Sequence, residues 1–144
     1  MLYLTLEAAE IYYSTRLNVE EWTAASEDEK TKALNMAEKA ILKLPFSGLQ
    51  NSADAVFPRN GEDSIPEDVT DAMYEEALSL LSGKDSTKNL TDLHVKDSSF
   101  AGFSTTVDPN VDRPWLLYNL TSPVAWQWLA PYIIDPRTFS VKQA

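Results

Sequence analysis

No cysteine occurs in the 144-residue chain, which removes disulfides, thiolate chemistry and cysteine metal sites together. A single histidine, His94, is present, so a transition-metal site would need carboxylates for nearly all its ligands. Within Leu93-His94-Val95 it alternates with apolar neighbours, the pattern of an exposed or edge-strand side chain without the orienting partner that histidine catalysis needs. Glycine is scarce, at four residues; Gly61 stands alone and no glycine-rich phosphate cradle exists. No apolar run approaches the ~20 residues needed to span a bilayer. The opening MLYLTLEAAE lacks the basic flank and cleavage-like site of a signal peptide. A cytosolic protein with no membrane partner is the simplest expectation. Basic residues are also few, 12 against 22 acidic ones, for a net charge of −10. Such a surface repels nucleic acid at long range. It serves plain solubility or marks a molecule that lies near DNA without holding it.

What is present is mostly helical periodicity. From Ser26 to Leu44 a capping box, Ser26 with Glu29, opens a run in which Ala33, Leu34, Ala37, Ala40, Ile41 and Leu44 form one apolar stripe. Glu27, Asp28 and Glu29 favour the positive end of that helix, and Pro45 stops it. We expect the rest of the chain to pack on this stripe. Thr5 is a fair N-cap for a helix within residues 3–17, whose Leu6, Ala9, Ile11, Tyr12, Tyr13 and Leu17 are apolar round more than half the circumference and predict a sandwiched helix. Trp22 follows in a short helix or turn as a core plug.

After Pro45 comes a loop of about twenty residues, long for a compact domain, with Phe46, Leu49, Val56 and Phe57 available to pin it. A second long helix begins at Ser64-Ile65-Pro66, with proline in its first position. It carries Val69, Ala72, Met73, Glu76, Ala77, Leu80 and Leu81, and Ser82-Gly83 ends it. Partial alternation near residues 90–107, around Lys96-Asp97-Ser98, predicts a β-hairpin. Ser122-Pro123 starts a short helix with Val124, Ala125, Trp126, Trp128 and Leu129, in which Trp126 and Trp128 are expected in the core. The expected fold class is therefore mainly α, a small helical bundle with a short β-hairpin (residues 1–132) and an extended C-terminal arm (residues 133–144).

The sequence offers no nucleophile with a positioned base and no cofactor or metal motif, so a non-enzyme is expected. Glu75 and Glu76 are adjacent on a helix, point about 100° apart and cannot share a substrate. Two features remain. Phe57-Pro58-Arg59, in an otherwise polar loop, either anchors that loop or makes a fixed contact with a partner. The last thirty residues, with Trp115, Tyr118, Trp126, Trp128, Tyr132 and Phe139, hold more aromatic surface than the end of a small bundle buries. They either cap its open end or form an interface, which such residues favour.

The order of several short segments adds a further expectation. Tyr3-Leu4-Thr5-Leu6-Glu7-Ala8-Ala9 opens the first helix. Trp22, Ala24-Ala25-Ser26, Lys30 and Ala33-Leu34 follow, then Ala55-Val56-Phe57-Pro58-Arg59, Ile65-Pro66-Glu67-Asp68-Val69, Ala72 and Leu129-Ala130-Pro131-Tyr132. Over residues 3–133 the chain resembles the tailed-phage head–tail connector adaptors, a family also described as DnaT-like single-stranded-DNA-binding phage domains. The resemblance implies a structural virion protein at the head–tail interface, assembled in the host cytoplasm. It would form a homo-oligomeric ring, typically of twelve copies, between the portal and a downstream tail or nozzle protein, with genomic DNA passing through unbound. Carried over to this chain, it implies that Ile133 to Ala144 form the portal-docking tail, with Arg137 and Phe139 as anchors; the candidate partner contacts are then Tyr132, Ile133, Arg137 and Phe139, and the Phe-Pro-Arg step adds Phe57 and Arg59 as candidate loop contacts. The alternative is a small phage DNA-binding module, although single-strand binding uses stacking platforms on a basic groove.

Overall fold

The computed structural model describes residues 1–83 and 114–134. The chain builds α1 (Leu6–Ser14), α2 (Glu20–Ala24), α3 (Glu27–Leu42), β1 (Gln50–Ser52), β2 (Ala55–Arg59), α4 (Glu67–Leu81), α5 (Pro114–Leu117) and α6 (Pro123–Leu129), followed by a 3-10 turn over Ala130–Tyr132. The architecture is a mainly helical bundle with a two-stranded antiparallel hairpin. Among the described residues no helix is long and apolar enough to cross a membrane. The hairpin expected near residues 90–107, His94, Arg137 and Phe139 lie outside the described residues.

Local sequence explains the helix starts. Ser26 Oγ accepts from the Glu29 backbone N–H at 3.2 Å, and Glu29 Oε1 accepts from the Ser26 N–H at 3.1 Å, closing the capping box. Thr5 Oγ1 caps α1 by accepting from the Ala8 N–H, and Ser122 Oγ caps α6 by accepting from the Ala125 N–H. Pro66 departs from expectation by one position. It is the N-cap of α4, with an extended ψ of 140°, and Glu67 is the first helical residue.

The larger departure concerns which helix is central. On α3 the stripe buries Ala33, Leu34, Ala37 and Ile41, while Glu27, Lys32, Met36 and Lys39 on the other side stay in water. By contrast α4 is buried without a break from Ala72 to Leu78. It packs against α1, α2, α3 and α6, so the bundle is assembled on α4 rather than on α3. The cause is that Tyr74, Glu75 and Glu76, polar in sequence, are buried along with the apolar residues around them.

Three buried carboxylates hold separate parts of the chain. Glu38 on α3 accepts from the backbone N–H groups of Leu2, Tyr3 and Leu4, at 2.6 to 3.2 Å. Glu75 accepts a bidentate pair from Arg16, at 2.6 and 2.8 Å, together with the Tyr12 hydroxyl. Glu76 accepts from the backbone N–H groups of Thr121 and Ser122 and from Thr121 Oγ1, at 2.9 to 3.1 Å. A buried carboxylate is tolerable only when its oxygens are met in this way. Glu38 thus pins the N-terminal segment ahead of α1, Glu75 pins α1, and Glu76 pins the start of α6.

Several apolar expectations are corrected. The first helix is not sandwiched, since only Ala9 and Tyr13 of α1 are buried and Ile11 is 70% exposed. Leu17 lies beyond its end at 83% exposed. Trp22 is the core plug expected, tilted against Tyr13 with ring centroids 4.2 Å apart. Trp126 is half-buried and stacked on Tyr118, whereas Trp128, expected in the core, points outward.

Candidate partner-binding corner

The long segment after α3 is a hairpin rather than an open loop. Gln50 pairs with Arg59 and Ser52 with Ala55, around an Ala53-Asp54 turn. Asn60 extends the pairing: its backbone N–H donates to the Leu49 carbonyl at 2.7 Å, and its Oδ1 accepts from the Leu49 N–H at 3.1 Å. Phe46 and Phe57 pin the base, in edge contact with centroids 4.7 Å apart. The Tyr3 hydroxyl donates to the Phe57 carbonyl and accepts from the Phe57 N–H, which ties β2 to the N-terminal segment. Leu49, expected as a fourth pin, is 81% exposed.

The last described segment returns to this hairpin. Ile133 bridges antiparallel to Phe46. The Ser47 N–H donates to the Tyr132 carbonyl at 2.8 Å and the Ile134 N–H to the Pro45 carbonyl at 2.9 Å. The Tyr132 hydroxyl donates to Asp68 Oδ2 at 2.9 Å, a bond that raises the phenol's pKa above its ordinary value. The structure therefore brings Tyr132, Ile133, Phe57 and Arg59 to one corner, although sequence placed them in two unrelated features. Of the four, Ile133 is buried and roots the C-terminal segment, while Tyr132 and Arg59 remain half-exposed.

Arg59 organises the corner. Its guanidinium donates to four carbonyls: Ser47 from Nε at 3.2 Å, Val56 from Nη1 at 3.3 Å, and Phe46 and Gly48 from Nη2 at 3.1 and 2.8 Å. Those bonds account for four of the five N–H groups an arginine carries. Among the described residues Arg59 forms no ion pair; the cations that do are Arg16, Lys30 and Lys32. Beside it lies a cavity of about 60 Å³, walled by Phe46, Phe57, Asn60, Pro66 and Tyr132, with Glu62 at its rim. At ~30 Å³ per water that is room for two waters or one small side-chain group, far below the ~300 Å³ at which small-molecule sites begin. The corner suits a partner's side chain and not a cofactor.

A second surface feature lies beside the Arg16–Glu75 pair. The elbow between α1 and α2 forms an open depression of about 450 Å³ lined by Arg16, Leu17, Val19, Glu20, Thr23 and Ala24. Arg16 is spent here, on Glu75 and on the carbonyls of Leu17 and Asn18.

Sequence reasoning missed Glu38, Asp68 and the Asn60–Leu49 pair. A signal existed only for Glu38, which stands four residues after Leu34 and three before Ile41, on the apolar face of α3. Among the described residues no group of three His, Asp or Glu side chains could hold a metal ion. Comparison of the chain with protein-family models, with curated proteins and with solved structures finds no match in any of the three.

Proposed function

We propose that this protein is a structural, non-enzymatic adaptor of a tailed-phage head–tail connector, docking on a portal protein through the hairpin corner and the segment leaving it. The observation that carries the reading is the convergence of Tyr132, Ile133, Phe57 and Arg59 on one corner. These are the residues for which the family resemblance, or the isolated Phe-Pro-Arg step, suggested contact. In this reading Ile133 and the Tyr132–Asp68 bond root the arm. Residues 135–144, with Arg137 and Phe139, reach the partner, and Arg59 offers a positive charge that no carboxylate of the described chain cancels. The ring of copies, the tail or nozzle protein below it and the passage of DNA through the ring follow from the same resemblance, and the net charge of −10 suits a lumen that does not hold DNA.

Two further observations support the reading. The adjacent carboxylates that a hydrolytic mechanism would recruit are bonded into the bundle, Glu75 to Arg16 and Tyr12, Glu76 to Thr121 and Ser122. Some of the cations that a DNA-binding module would recruit are also engaged, three of the six among the described residues: Arg16 by Glu75, Lys30 by Glu10 and the face of Trp22, and Lys32 by Asp28.

Native mass spectrometry of the protein alone and mixed with its phage's portal tests the proposal. Joining the portal in a fixed stoichiometry is the expected result. Indifference to the portal, together with salt-sensitive binding of a labelled single-stranded oligonucleotide, would replace it with the DNA-binding alternative.

A further inference from the structure

The chain contains one Asn-Gly step, Asn60-Gly61, and it lies where the hairpin meets the corner. Glycine leaves the following backbone nitrogen unshielded, and a Cβ built on Gly61 would meet nothing within 4 Å, so this side of the turn is open to water. The two groups that could react are nevertheless both held. The Gly61 N–H donates to Asn51 Oδ1 at 2.7 Å. The Asn60 side-chain Oδ1 accepts from the Leu49 N–H at 3.1 Å. Asn51 is itself fixed, because its Nδ2 donates to the Glu62 carbonyl at 2.8 Å. The Asn60 amide lies in the space that Gly48 leaves free, where a Cβ would come within 2.1 Å of Asn60 Oδ1.

We infer that Asn60 is a guarded deamidation site, whose reaction runs only when the hairpin base opens. In the reaction the Gly61 backbone nitrogen attacks Asn60 Cγ and an N–Cγ bond forms. The Cγ–Nδ2 bond breaks, the nitrogen's proton passes through solvent to the leaving group, and ammonia departs from a five-membered succinimide. Water then adds to either ring carbonyl, giving aspartate or isoaspartate at position 60. The net change is one amide plus one water to one carboxylic acid plus one ammonia, with no redox step. Attack requires the Gly61–Asn51 bond to break, freeing the nitrogen, and the Asn60 side chain, fixed in place through Leu49, to turn toward it, which makes the hairpin itself the gate. Either product places a carboxylate next to Arg59. Isoaspartate also lengthens the main chain between residues 60 and 61, which moves the Gly61 N–H off Asn51. The inference stands independently of the proposed function.

The test incubates the full-length protein in mildly alkaline buffer and follows each asparagine by peptide mass spectrometry, with the other asparagines as internal references. Asn60 is expected to deamidate roughly tenfold or more slowly in the folded protein than in the same chain unfolded in urea, the protection that local opening gives. Asn51→Ala is expected to raise the folded-state rate toward the unfolded one, whether it loosens one bond or the whole hairpin. Asn51→Asp, which keeps an acceptor oxygen for the Gly61 N–H but loses the donor to the Glu62 carbonyl, is expected to fall between the wild type and Asn51→Ala. Equal rates in folded and unfolded wild-type protein would overturn the inference. So would an Asn51→Ala rate that matches the wild type.

Discussion

Arg16, at the α1–α2 elbow, and Arg59, at the hairpin corner, are treated in opposite ways. At the α1–α2 elbow, Arg16 makes a bidentate pair with a carboxylate that is almost wholly buried, while its Nη1 donates to the carbonyls of Leu17 and Asn18. At the hairpin corner, Arg59 meets carbonyl dipoles alone. Both side chains order the backbone around them, but only the first has its charge cancelled. The difference separates a lock from a contact. Removing one partner of a buried ion pair strands the other, whereas removing a carbonyl-bound guanidinium loosens a surface loop and takes away an unpaired charge.

The sharpest way to break this comparison is Arg16→Ala. It strands Glu75 in the core, and the expected loss is about 3–5 kcal/mol of unfolding free energy, measured by urea denaturation. Arg16→Ala combined with Glu75→Gln is expected to recover part of it, because the second change removes the stranded charge. A loss no larger than that of an exposed pair would mean that Arg16 is no lock.

Arg59→Ala comes next. The expected loss is about 1–2 kcal/mol, from several weak carbonyl bonds at a partly exposed site, confined in hydrogen exchange to residues 45–62. Under the proposed function it also weakens portal binding, whereas Arg16→Lys leaves portal binding intact in whatever fraction stays folded. Arg59→Ala with unchanged portal affinity would reduce the residue to a loop staple.

The smallest expected effect concerns Asp71, on the α4 surface between the two regions. Burial raises its pKa from the ordinary 3.8 to about 6, with further contributions from Glu67, Asp68 and Glu75. The folded protein therefore holds this proton more tightly than the unfolded chain does. Asp71 contributes a penalty at neutral pH, and that penalty is relieved as pH falls from about 6 toward 3.8. Asp71→Asn is expected to raise stability at pH 7 and to flatten this part of the pH profile. The side chain is only partly buried, and solvent screening keeps the gain below about 1 kcal/mol. Thermal melts of both proteins across that pH range check the sign; a variant less stable at pH 7 contradicts it.

What the sequence revealed and concealed follows from how local each cause is. The Ser26–Glu29 box, the Thr5 cap and the Ser122-Pro123 start act over three or four residues, and all were readable. The mainly helical class followed from the stripes on α3 and α4. The primacy of α4 was hidden, because Glu75 lies off the apolar stripe and Glu76 at its margin until Arg16 and Thr121 arrive from distant segments to meet them. Ile11 and Leu17 misled in the opposite sense, since apolar residues round much of a helix suggested burial where α1 keeps only Ala9 and Tyr13 inside. The hairpin was concealed because Gln50, Asn51 and Ser52 are polar and exposed throughout. Its Asn-Gly step, usually a hairpin-tip signal, closes the base of this one instead. The candidate corner was half legible. Phe57, Arg59, Tyr132 and Ile133 stood out singly, but the Phe46–Ile133 bridge that unites them is non-local and leaves no periodic trace.

Hydrogen exchange of the protein alone and then with the portal addresses the central claim most directly, because it reads every backbone amide of both regions at once. The expected result is slow exchange along α4 in both states, with new protection on portal binding at residues 45–62 and 130–134 and none at the α1–α2 elbow. New protection at residues 16–24, with the hairpin corner unchanged, would contradict it and place the contact on the Arg16 side.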